Sequence, residues 1–133
     1  MRNIEQLLKE LIPPSDYQHR NGFSNEHIVL SLSENEKTEV ERNLIELLEK
    51  KEDVLIGETL TIMKSTDSLS TLRKRLDLSQ SPTKKIIWAS YINEIKSGDE
   101  EMKEIALSEF DKVSEKILKS EFFIIWLNST ILE

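Results

Sequence analysis

Ile4, Leu7, Leu8, Leu11 and Ile12 stand three and four residues apart, the spacing of one helical face, and Asn3 is placed to cap the first turn. Pro13-Pro14 ends this helix, because proline lacks an N–H and forces the residue before it out of the helical region. From Ser15 to Phe23 the chain is polar and carries the turn signal Asn21-Gly22, which reads as an ordered loop. Ile28, Val29, Leu30 and Leu32 fit either a short strand or a helical turn, and their isolation favours the turn. Ser33 followed by Glu36 is a capping-box pattern opening a long helix to about Lys51. Its buried stripe is Val40, Leu44, Leu47 and Leu48, and Glu34, Glu36, Lys37, Glu39 and Glu41 are expected to face water.

From Asp53 the pattern repeats at an offset of 32 residues. Residues 54–67 laid over 86–99 bring apolar side chains into coincidence at Val54/Ile86, Leu55/Ile87, Ile56/Trp88, Leu60/Ile92 and Met63/Ile95. Gly57 meets Ala89, and Lys64, Ser65 and Asp67 recur as Lys96, Ser97 and Asp99. With a shift of one or two residues, Leu69, Leu72 and Leu76 correspond to Met102, Ile105 and Phe110. Each unit reads as a helix, a Lys-Ser-x-Asp turn and a second helix, with the Asp of the turn placed to cap that second helix. Ser81-Pro82 supplies a cap and a first helical position for the second unit. The apolar run Phe122 to Leu127 is expected to close the end of the stack.

Helix pairs at a period of roughly 30–45 residues mark an α-solenoid. On Met63 to Leu69 and Ile95 to Met102, each a helix end, a turn with Asp and a leucine- or methionine-led second helix, residues 53–113 resemble HEAT repeats. The likeness covers somewhat under half of the chain, and the helix at 33–51 extends it. Trp88 and Tyr91 depart from it, since smaller residues are common there. The resemblance implies an all-α, short right-handed α-solenoid: a HEAT-like stack of about three antiparallel helix pairs. Residues 33–133 would form the repeats of a single domain, and residues 1–32 an N-terminal helix and loop extension. HEAT-like proteins are mostly binding scaffolds, so the resemblance implies interaction more than catalysis.

Composition narrows the classes. The 133 residues suit one domain, and three Gly and three Pro are too few for a chain of many tight turns. No cysteine is present, which excludes a disulfide scaffold, a thiolate metal site and a Cys nucleophile. The start of the chain lacks a signal peptide's apolar stretch and no run approaches a membrane span, so the expectation is a cytoplasmic protein without a membrane partner. Net charge is −7. Residues 33–53 hold eight acids and four bases, and residues 98–133 nine acids and four bases. Residues 54–97 instead hold seven bases and four acids. An acidic chain is a poor general nucleic-acid binder.

No catalytic set emerges, so a non-enzyme without cofactors or metals is expected. His19 and His27, near Asp16, Tyr17, Arg20 and Glu26, lack a metal-binding spacing and read as loop surface. Gly22, Gly57 and Gly98 are too isolated for a phosphate loop. Arg73-Lys74-Arg75 and Lys84-Lys85 form a basic strip that could meet a phosphate or an acidic partner, against the plainer reading of a solvated edge paired with Asp77. A helical wheel puts Trp88 with Ile92 and Ile95 in the core. The opposite face carries Glu58, Thr61 and Ser65 in one unit and Ser90, Asn93, Glu94 and Ser97 in the next. Stacked units would align these into a polar protein-binding surface, with Glu58, Thr61, Ser90, Asn93 and Glu94 as its contact residues. A protein partner is therefore expected, and an immunity-type inhibitor of a bacterial toxin suits a small acidic chain. The alternative is a nucleic-acid-associated helical-repeat domain using the basic strip.

Overall fold

The computed structural model describes residues 2–14 and 23–113. Among them the regular structure is entirely helical: α1 (Ile4–Leu11), α2 (Glu26–Leu30), α3 (Glu34–Lys50), α4 (Val54–Ile62), a 3₁₀ turn (Thr66–Ser68), α5 (Leu69–Leu78), α6 (Pro82–Ile95) and α7 (Glu100–Phe110). The all-α expectation holds. The apolar run at 122–127 and the loop at 15–22 lie outside the described residues. No helix among the described residues is long and apolar enough to cross a membrane. The chain divides into two compact units, 1–65 and 66–133.

In the first unit, α1 and α4 pack on α3, and α2 packs on α4. Asn3 caps α1 as its pattern predicts, accepting from the Gln6 N–H. The buried stripe of α3 is Val40, Leu44 and Leu48 at steps of four, and α1 contributes Leu7 and Leu11. Two polar clusters tie these helices. Asn25, only 2% exposed, donates from Nδ2 to the Leu11 carbonyl at 2.9 Å and to Thr59 Oγ1 at 2.8 Å, joining the end of α1 to α4. Thr59 passes its own hydroxyl proton to the Leu55 carbonyl at 2.8 Å.

The second cluster corrects a sequence expectation. Glu36 completes the capping box with Ser33, but it is not wet: its side chain is 5% exposed. Arg2 explains why. Its backbone N–H (2.9 Å) and Nε (3.0 Å) donate to Oε2 of Glu36, and its Nη2 donates to Oε1 at 3.1 Å. The Ser33 N–H donates to the same Oε1 at 2.9 Å. Arg2 Nη2 also reaches the Ser31 carbonyl at 3.1 Å. The Arg2 guanidinium, then the Ser33 and Arg2 amides, hold the Glu36 carboxyl well below its ordinary value of 4.5. One carboxylate thus caps α3 and anchors the start of α1, so α1 is built into the same unit as the 33–51 helix.

In the second unit α6 is the middle helix, packed against α5 and, most extensively, α7. Ser81 caps it, accepting from the Lys84 N–H, with Pro82 in its first turn. Trp88 is fully buried, as the wheel predicts, and meets Tyr91 edge-to-face at 5.8 Å. Its indole N–H finds no acceptor among the described residues.

The two turns of the expected repeat are alike in chemistry but not in register. Each helix ends in a Schellman motif. After α4, Lys64 N–H bonds to Thr61 O and Ser65 N–H to Leu60 O; after α6, Ser97 N–H bonds to Glu94 O and Gly98 N–H to Asn93 O. Lys64 (φ 54°) and Ser97 (φ 57°) occupy the left-handed position. Lys64 therefore corresponds to Ser97, not to Lys96, and the turns match one residue away from the sequence offset. The helices differ too, since α4 has 9 residues and α6 has 14. Asp99 caps α7, accepting from the Met102 N–H at 3.0 Å, while its other oxygen pairs with Lys96. Asp67 does not do the same; it lies inside the 3₁₀ turn, and Ser68 precedes α5. The division between the units, after Ser65, falls inside this first turn.

These ties can be tested one by one. Asn25→Ala strands the Leu11 carbonyl, and urea unfolding should register a loss of about 1–3 kcal/mol. At the second turn, Ser97→Gly should raise stability by about 1 kcal/mol by removing left-handed strain from a residue with a Cβ. Gly98→Ala should instead cost about 1–3 kcal/mol. Gly98 sits at φ 122°, and nothing lies within 4 Å of the Cβ an alanine would add, so that cost is backbone strain without a clash. For Glu36, a carboxyl held low in the folded state stabilises fully above its ordinary value, and the contribution is lost as pH falls from there toward the lowered folded-state value. Glu36→Gln should therefore lower the melting temperature at pH 7, with the gap to the parent protein closing in melts taken at successively lower pH below about 4.

Candidate functional site

Most of the polar face expected to bind is buried. Thr61 is 6% exposed, Asn93 7% and Ser90 fully buried, and Ser65 is buried with them. Their polar groups serve the local backbone. Thr61 Oγ1 donates to the Gly57 carbonyl at 2.8 Å, and Ser90 Oγ donates to the Ile87 carbonyl at 2.7 Å. Asn93 Oδ1 accepts the Asp99 N–H at 2.7 Å and so fixes the entry to α7. Glu58, Glu94 and Ser97 are exposed. Of the five expected contact residues, Thr61, Ser90 and Asn93 are thus structural. The wheel misplaces them because α4 packs against both α2 and α3, and α6 against both α5 and α7. A helix flanked on two sides buries its polar face as well, and short hydroxyls survive there by bonding back along their own helix.

Two members of the basic strip, Arg73 and Lys85, are paired with acids. Arg73 pairs with Asp77 on its own helix at 3.2 Å and with Glu101 of α7 at 3.0 Å. Lys85 approaches Glu109 at 3.7 Å, and the same carboxylate, 7% exposed, pairs with Lys112 at 3.2 Å. Glu101, then Asp77, raises the Arg73 guanidinium above its ordinary pKa. The solvated edge paired with Asp77 is what the second unit contains, with α7 supplying further acids. His27 and Glu26 are exposed on α2, while Asp16, Tyr17, His19 and Arg20 lie outside the described residues. Among the described residues no group of three or more His, Asp or Glu side chains is placed to hold a metal ion.

Sequence reasoning passes over the outer face of α7. Met102, Ala106 and Glu109 turn inward. Glu100, Glu104, Leu107, Ser108 and Asp111 are all exposed and stand at positions i, i+4, i+7, i+8 and i+11, one continuous stripe. Leu107 is 44% exposed, an apolar centre between acids. Glu100 is paired loosely, with Lys103 at 3.5 Å. The charge count marks 98–133 as acidic; only the helix boundaries and the inward turn of Met102 and Ala106 show that these acids share a face. Beside it, Leu69, Ile92 and Met102 floor a shallow groove of about 260 Å³ rimmed by Ser70, Arg73, Lys96, Asp99 and Glu101.

The chain matches no family model, no curated protein and no solved structure.

Burial and exposure along α6 give a direct check. A lysine in place of Ser90 or Asn93 puts a charge in the interior, and chemical denaturation should show a loss of several kcal/mol or no folded protein at all (about 3 kcal/mol or more). Glu94→Lys, one residue beyond Asn93, should stay within about 0.5 kcal/mol of the parent protein.

Proposed function

We propose that this chain is a non-catalytic protein-binding module whose working surface is the acidic outer face of α7. The observation that carries the reading is the stripe Glu100, Glu104, Leu107, Ser108 and Asp111, acids around an exposed leucine on a rigid, well-capped helix. An acidic rim steers a basic partner and speeds its encounter, and a central apolar side chain supplies contact area on docking. A helix locked by Asn93, Asp99 and Lys96 at its entry loses little freedom on binding. Glu58 and Glu94 remain exposed and belong to the same acidic character, though not to a shared repeat surface with Thr61, Ser90 and Asn93.

The HEAT-like reading belongs to this proposal. The tightly packed α6–α7 pair and the two Schellman turns support it, and the one-residue slip between those turns argues against a strict repeat. The sharper form of the proposal is an immunity-type inhibitor of a bacterial toxin, acting in the cytoplasm on a basic target. Net charge of −7 favours it over the nucleic-acid alternative, as does the pairing of Arg73 and Lys85 with acids.

Co-expression with a toxin encoded beside this chain's gene tests the sharper form: protection by the parent protein is expected, and killing equal to that by the toxin alone sinks it. For the surface itself, Glu100→Lys, Glu104→Lys and Asp111→Lys combined should slow association with the basic partner about tenfold or more at low salt while the protein stays folded. An unchanged association rate in that triple variant would show that α7 is not the binding face.

A further inference from the structure

We draw no further inference here: the strongest candidate, the shallow groove between α5 and α7 floored by Leu69, Ile92 and Met102, carries nothing because its rim charges Arg73, Glu101, Lys96 and Asp99 are already paired with one another and nothing in the structure shows what covers it.

Discussion

Every described helix here is short, from 5 to 17 residues, and helices of that length are marginal unless they bury a face against neighbours. That constraint organises both units. In each, one helix takes the middle position: α4 between α2 and α3, and α6 between α5 and α7. A middle helix buries much of its polar side as well, leaving residues such as Glu58 and Glu94 in water. Its small polar residues must then find hydrogen bonds close by, and they do, with Thr59, Thr61 and Ser90 bonding three or four residues back along their own helices. Such bonds cost the helix little and let it be enclosed.

Around the middle helices, polar groups of longer reach do the joining. Asn25 ties two elements far apart in sequence through one amide, and Glu36 draws in Arg2 from 34 residues away. In the second unit Asn93 has a comparable role at short range, with its side-chain oxygen holding the amide of Asp99, which in turn caps α7. The entry to α7, and with it the orientation of its acidic outer face, is held by these two residues. The acids Glu100, Glu104 and Asp111 share a stripe because they stand at i, i+4 and i+11 of α7.

Charge follows the same logic. The acids exceed the bases, and several of them are paired: Glu36 with Arg2, Glu101 with Arg73, and Glu109 with Lys85 and Lys112. Arg73 and Lys85 of the basic strip take part in this pairing, and the outer stripe of α7 carries Glu100, Glu104 and Asp111. An exposed pair such as Arg73 with Asp77 adds little stability by itself, about 1 kcal/mol at most. Its larger consequence is on the surface potential, since the paired acids offset the guanidinium's charge.

Much was legible in the chain alone. The spacing of Ile4 to Ile12, the Ser33/Glu36 capping box, Ser81-Pro82 and the cap at Asp99 are local signals, decided within one helical turn, and the structure has them where the pattern places them. Trp88 in the core was legible as well, because its apolar neighbours share its face. Packing decided the rest. Whether Ser90 and Asn93 point to water depends on how many neighbours α6 has, which no wheel of a single helix contains. Whether Glu36 is wet depends on Arg2, 34 residues away, and whether Asp67 caps a helix depends on the backbone taking a 3₁₀ turn there. Local hydrogen bonding is written in adjacent residues; burial and long-range pairing exist only once the helices are brought together.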